Sequence, residues 1–192
     1  LDVALRREVR DENPLQLTVV QAALVGEKAA WLVEKLTEVG VARVVFFPGA
    51  RSVRTRVALP RLVRIAEAAA RQCGRVTVPA VEEAPTLDAA LEAKGDVAAV
   101  RLFGQPAGTR TIGDVIDADG ADDADANGRK PHPSRVGAVV AIGPESGFTE
   151  DEEKVLLAHR FEGVCVGPRT LRAESAGIVF ASILMHRLGD IR

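Results

Sequence analysis

The sequence predicts an α/β fold: an open, mainly parallel sheet covered on both faces by helices. Three observations predict it. Apolar runs of strand length alternate with amphipathic segments of helix length from residue 15 to residue 188. The first strand–helix–strand unit, residues 15–47, implies a parallel pair with a right-handed crossover. Three loops that follow apolar runs, Leu102–Pro106, Gly143–Phe148 and Gly167–Leu171, are rich in Gly and Pro. Such residues permit fixed turns and close backbone approach, which suits the ligand-binding edge of a parallel sheet.

The elements follow in order. Residues 1–14 are charged and end in Asn13-Pro14, a turn signal. They read as a tail or linker. Leu15–Leu24 reads as a strand. Glu27–Val39 reads as a helix with Ala29, Leu32, Val33 and Leu36 on one face and Gly40 as its stop. Val41–Phe47 is a buried strand closed by Pro48-Gly49. After the basic loop Gly49–Val57, Pro60 opens a helix to Cys73, with Leu62, Ala66, Ala69 and Cys73 inward and Gly74 as stop.

A short strand is expected at Val76–Val78, a small helix at Thr86–Lys94 and a core strand at Asp96–Leu102. Asp117–Arg135, rich in Asp, Gly, Asn and Pro, reads as a surface insertion, because the core pattern resumes directly after it. Val136–Ile142 is the most buried-looking strand. Thr149 then caps a helix to about His159, with Glu152 completing a capping box. Gly163–Val166 is the last strand, and an apolar helix runs to Leu188.

Composition bounds the function. The chain has 192 residues, no Tyr and 4% aromatics, which disfavours readers of single-stranded RNA built on aromatic platforms. Net charge is −2, but it is divided: seven arginines and one acid lie between Arg51 and Arg75, and five aspartates and no base between Asp117 and Asp125. Cys73 and Cys165 sit in apolar contexts and read as buried thiols, and no metal spacing exists. With no signal peptide and no apolar run of membrane-spanning length, a cytoplasmic protein without membrane contact is expected.

Neither phosphate-cradle motif is present, and Ser146 in G-P-E-S-G is not a nucleophile elbow. Glu145 fits a ligand for an amine or sulfonium, or an acceptor that locks the loop. Arg51, Arg54 and Arg56 crowd one short loop, where phosphate contacts would relieve their mutual repulsion. Arg61, Arg64 and Arg71 also suit a solvated helix face. Arg172 stands near the first turn of the last helix, where the macrodipole disfavours a cation. Either it pairs with Glu174 or another carboxylate, or it serves a function.

Four patches carry a family resemblance: K-A-A-W-L-V-E-K-L-T-E-V-G-V (28–41), A-R-S-V (50–53), I-A-E-A-A-A-R-Q-C-G-R-V-T-V-P (65–79), and the pair I-G-P-E-S-G-F (142–148) with V-G-P-R-T-L-R-A-E-S-A (166–176). Over residues 15–190 the chain resembles the methyltransferases that modify N3 of a uridine in 16S ribosomal RNA, within the SPOUT superfamily of knotted methyltransferases. The resemblance implies a deep C-terminal trefoil knot, S-adenosylmethionine as cofactor, a homodimer and the small ribosomal subunit as partner, with no metal.

The resemblance also assigns residues. Cofactor contacts fall on Leu102, Phe103, Gly104, Ile142, Gly143, Pro144, Glu145, Gly147, Val166, Gly167, Pro168, Leu171, Ser175 and Ala176. Arg51 and Arg172 match basic positions near the target base, and Glu145 and Glu174 are candidate general bases. RNA contact is expected from Arg51, Arg54, Arg56, Arg71 and Arg75. Ser146 replaces a Gly usual in the family. The insertion 117–135 is longer than in the family pattern. On this resemblance the family's N-terminal PUA-like RNA-binding domain is expected to be largely absent, with residues 1–14 either a tail or its remnant. Other readings are a SPOUT enzyme for another RNA such as transfer RNA, and a non-catalytic RNA-binding dimer in ribosome assembly.

Overall fold

A computed structural model describes residues 15–53, 56–92, 98–119, 136–189 and 191. Six strands form one parallel sheet: β1 Leu15–Ala22, β2 Arg43–Phe47, β3 Ala80–Glu83, β4 Ala98–Gly104, β5 Val136–Ile142 and β6 Glu162–Val164. Their order is β3-β2-β1-β5-β4-β6. The helices are α1 Lys28–Val39, α2 Leu59–Cys73, α3 Leu87–Glu92, α4 Ile112–Asp119, α5 Glu150–Ala158 and α6 Ala173–Leu188.

Alternation along each strand sorts the core into two layers. Leu15, Leu17 and Val19 of β1, with Val44 and Phe46 of β2, pack with residues of α1, α2, α4 and α6. Val20, Ala22, Val45 and Phe47 face the other way, toward α3 and α5. Both faces of β1 are buried, so its apolar run is nearly continuous, as the interior of a parallel sheet demands. Each fully buried Leu or Val contributes about 1.5–3 kcal/mol relative to exposure.

Helix ends follow local chemistry. Gly40 (φ 99°) and Gly74 (φ 78°) close α1 and α2 in the left-handed conformation that glycine adopts without a Cβ penalty. At α5 the Thr149 hydroxyl accepts from the Glu152 N–H at 3.2 Å, and the Glu152 carboxylate accepts from the Thr149 N–H at 2.8 Å.

Several expectations are corrected. Val76–Val78 is not a strand: Val76 and Val78 are exposed, and Ala80–Glu83 takes the register against Arg43–Phe46. Three β-branched residues had the propensity, but Gly74 and the following turn leave them short of the sheet edge. Cys73 is exposed, because the buried stripe of α2 ends a turn earlier at Ala69 and Ala70; Cys165 is half-buried. Helix α4 was not anticipated. Asp117–Asp119, assigned to the acidic insertion, form its last turn. Its start carries a Thr111–Asp114 box, with Thr111 N–H donating to Asp114 at 2.7 Å, and Ile112 and Val115 buried. Residues 120–135, 1–14 and Arg54 lie outside the described residues.

The path that matters for the site is the last one. After β6, at the sheet edge beside β4, the chain returns across the carboxyl ends of β4 and β5. Helix α6 then packs on β1 and β5 and against α1. This return crosses the sheet edge where the three Gly/Pro loops lie.

Candidate active site

The three loops predicted from sequence meet in one cleft beyond the carboxyl ends of β4, β5 and β6. The cleft encloses about 590 Å³ of non-atom space, part of it open to solvent. Each wall has a local cause.

The first wall is the loop after β5. A tight turn closes from the Gly147 N–H to the Pro144 carbonyl at 2.8 Å, with Gly147 at φ 75°. Phe148 anchors the loop: its ring stacks on Phe47 at 6.4 Å and meets Phe103 edge-on at 5.9 Å. Gly143 is required by close packing, since a Cβ there would lie 3.2 Å from the Phe148 ring and N–H. Ser146 keeps a negative φ, so the Gly-to-Ser departure carries no backbone strain; the left-handed position is Gly147.

The second wall is the end of β4. The Gln105 N–H donates to the Val164 carbonyl at 2.9 Å, tying this loop to β6. Gly104 has no side chain where Ile142 and Phe180 approach; a Cβ would meet them at 3.4 and 3.6 Å. The third wall is 165–171 and the first turns of α6. Gly167 takes φ 129°, and Ala173, Ala176 and Phe180 present one helical face to the cleft.

Of the expected cofactor residues, Gly104, Ile142, Gly143, Pro144, Glu145, Gly147, Val166, Gly167, Leu171 and Ala176 line the cleft. Leu102 and Phe103 do not: their side chains point to opposite faces of β4 and are 0% and 2% exposed. Pro168 and Ser175 lie beside the cleft without lining it. Gln105, Pro106, Arg169 and Thr170, members of the expected loops, also line it, and so do Val164, Cys165, Ala173 and Phe180, which were not anticipated. The Ala173–Ala176–Phe180 spacing at helical period was a readable signal.

Charged groups at the rim are ordered by Lys28, which the sequence did not single out. Its ammonium lies 2.7 Å from Glu145 Oε1 and 3.5 Å from Glu174 Oε2. The hydrogen bond from Lys28 holds the Glu145 carboxyl below its ordinary range, and the Glu145 contact raises the Lys28 pKa. Glu174 is buried in the first turn of α6, where the macrodipole favours a carboxylate, and among the described residues its Oε2 has no hydrogen bond.

Arg172 is the N-cap of α6 (φ −65°, ψ 151°), exposed, and its carbonyl accepts from the Ala176 N–H at 2.8 Å. Glu174 pairs with Lys28, not with Arg172, and among the described residues no carboxylate lies within ion-pair distance of Arg172.

The basic residues divide. Arg51 Nη1 donates to the Ser146 carbonyl at 3.2 Å and the Phe148 carbonyl at 3.4 Å. Arg75 is half-buried and donates to the Thr37 and Val41 carbonyls at 3.0 and 2.9 Å. Arg61 forms a bidentate pair with Glu27 at 2.9 and 2.5 Å. Arg56 and Arg71 are exposed. Among the described residues no group of three His, Cys, Asp or Glu could hold a metal, and no helix is long and apolar enough to cross a membrane.

A parallel α/β sheet with a Gly/Pro-walled cleft at its carboxyl edge has the form of a small-ligand site. The chain belongs to the RNA methyltransferase domain family, which matches residues 11–185. It is 25% identical over 187 residues to the ribosomal RNA small subunit methyltransferase E of Buchnera aphidicola, covering 94% of this chain and 67% of the relative. A Legionella pneumophila methyltransferase solved with its bound cofactor SAM superposes with TM-score 0.80 at 27% identity, covering 96% of this chain and 71% of that one. The ribosomal RNA small subunit methyltransferase E of Neisseria gonorrhoeae, bound to S-adenosylmethionine, gives 0.75 at 26% identity with the same coverage.

The chain is therefore an S-adenosylmethionine-dependent RNA methyltransferase. The residues present fit that cofactor: Ile142, Val164, Leu171 and Phe180 give apolar walls, Gly104 leaves a cradle that a Cβ would fill, and the 143–147 loop offers backbone groups.

Proposed function

We propose that this protein methylates N3 of a uridine in 16S ribosomal RNA of the small subunit, acting as a homodimer in the cytoplasm. The relatives named as ribosomal RNA small subunit methyltransferase E support the substrate class. The observation that carries the reading is Arg172: an exposed cation, without an ion-pair partner among the described residues, where the third cofactor loop becomes α6, next to cleft-lining Ala173. A helix start gains nothing from a cation, so its use lies elsewhere.

Bound in the cleft, S-adenosylmethionine supplies an electrophilic methyl group. The chain's part is to place the base and hold charge. Arg172 stabilises negative charge developing on a uracil oxygen as N3 loses its proton. Of the two candidate bases, Glu145 lines the cleft and Glu174 does not. Glu145 accepts the N3 proton only when its Lys28 contact opens, because that contact depresses its pKa. The exposed Arg56 and Arg71, with Arg54, contact the RNA backbone, while Pro168 and Ser175 close the cofactor site from its margin.

The return of the chain across β4 and β5 to α6 supports a trefoil knot of the SPOUT type in the 15–192 domain. The test is nucleoside mass mapping after incubation with S-adenosylmethionine and small ribosomal subunits. 3-Methyluridine at one position is expected. Methylation of transfer RNA instead, or of a ribose hydroxyl, overturns the substrate or the atom. Cofactor binding without any methylation favours a non-catalytic RNA-binding role.

A further inference from the structure

The loop that carries Arg51 is clasped to the cofactor loop. The two loops follow β2 and β5, which do not pair with each other, since β1 lies between them. Nonetheless two hydrogen bonds join them, and a third ties the basic loop to the first turn of α5. Arg51 Nη1 donates to the carbonyls of Ser146 and Phe148, at 3.2 and 3.4 Å. The Ala50 N–H donates to Glu152 Oε1 at 2.8 Å. Contact is close beneath them as well: a Cβ on Gly49 would lie 3.4 Å from Pro144 Cδ. On its own side the loop is held tight by the Ser52 N–H donating to the Gly49 carbonyl at 2.9 Å.

The placement is specific. The two carbonyls that Arg51 holds flank Gly147, the left-handed residue of the cleft wall. Glu152 uses its other oxygen, Oε2, for the Thr149 N–H and hydroxyl of the capping box. One carboxylate thus fixes both the start of α5 and the basic loop. Arg51 itself does not line the cleft.

We infer that Arg51 and Glu152 are positioning residues for the cofactor loop, so that cofactor affinity depends on the conformation of the basic loop, and RNA contact there and cofactor binding are coupled. The coupling to RNA rests on the proposed function; the effect on cofactor does not. By linkage, whatever RNA does to cofactor affinity through this clasp, cofactor does equally to RNA affinity. A guanidinium spans two carbonyls in a fixed fork, whereas an ammonium is a single point charge, so Lys restores part of the clasp.

The experiment is calorimetric titration of S-adenosylmethionine into wild type, Arg51→Met, Arg51→Lys and Glu152→Gln, all without RNA, with the melting temperature measured beside each. Wild-type binding is the control for the cofactor assignment. Arg51→Met is expected to weaken cofactor binding about tenfold or more, because bonds from a charged donor are lost. Arg51→Lys is expected to recover part of that loss at equal melting temperature. Cofactor affinity within about twofold of wild type in a folded Arg51→Met protein overturns the inference, and leaves Arg51 as an RNA contact alone. If Arg51→Met does not fold, Glu152→Gln, which cannot accept at both of its terminal atoms, decides by the same criterion.

Discussion

The ammonium of Lys28 lies 2.7 Å from the Glu145 carboxylate, so the first residue of α1 is joined to the lip of the cofactor cleft. The same ammonium is the only ion-pair partner of buried Glu174 among the described residues. Lys28→Met therefore leaves one rim carboxylate loose and one buried carboxylate uncompensated. The exposed Lys28–Glu145 pair is worth little, about 0.2–1 kcal/mol. The buried member raises the cost, and a total near 1–2 kcal/mol is expected, read as a fall in melting temperature.

That cost depends on pH with a definite sign. Glu145 titrates below its ordinary value of 4.5 in the folded protein, so its contribution is full above that value and is lost as pH falls through the folded pKa. Lys28 titrates above 10.5, so its contribution is full below that value and is lost as pH rises through the folded pKa. The gap in melting temperature between wild type and Lys28→Met should be widest between these values and narrow on both sides. A gap that grows toward acid would sink the assignment.

Gly104 separates folding from binding. An added methyl meets Ile142 and Phe180 at ordinary contact distance, and φ at 104 is not positive. Both neighbours line the cleft, so the methyl occupies ligand space. Gly104→Ala should keep the melting temperature nearly constant and weaken S-adenosylmethionine binding, by about tenfold on calorimetric titration. Gly163→Ala provides the contrast: its Cβ would lie 2.9 Å from the Phe103 ring in the core, so overpacking of about 1–3 kcal/mol is expected there.

Local physics explains which parts were legible in the sequence. Gly40 and Gly74 as helix stops, the Thr149–Glu152 box and the double-sided burial of β1 and β5 are set by neighbouring residues, so the chain announces them. The three loops were legible because Gly and Pro mark turns wherever they occur. Lys28, and the hold of Arg51 on Ser146 and Phe148, were not legible. Those contacts join residues 95 to 117 positions apart, and only the sheet order brings them together. Helix α4 was missed although Thr111–Asp114 is a cap signal, because the aspartate run beyond it reads as loop.

Arg75 and Arg71 look alike in sequence and should behave oppositely. Arg75 holds the Thr37 and Val41 carbonyls and thereby closes the end of α1 onto the approach to β2. Arg71 is exposed on α2. Arg75→Met should cost about 1–3 kcal/mol of stability, since two carbonyls lose a charged donor. Arg71→Ala should leave stability within about 0.5 kcal/mol. It should weaken RNA binding and reduce its salt dependence by about one ion. Denaturant unfolding and filter binding across a salt series separate the two.

Arg172 yields the sharpest expectation, because stability and activity should move apart. Its side chain is exposed, bonds nothing at the helix start and sits at the positive end of α6. Removing a cation there stabilises a helix by about 0.3–1 kcal/mol, so Arg172→Ala should melt no lower than wild type. It does not line the cleft, so cofactor affinity should stay within about twofold. Methyl transfer to RNA should nonetheless fall by about 10²–10³, the usual loss when a donor to a developing oxyanion is deleted. Single-turnover methylation with saturating cofactor reads that step directly. Arg172→Lys keeps the charge without the fork and should fall between. Wild-type turnover by Arg172→Ala would remove this residue from the chemistry and leave the cation at the helix start unexplained.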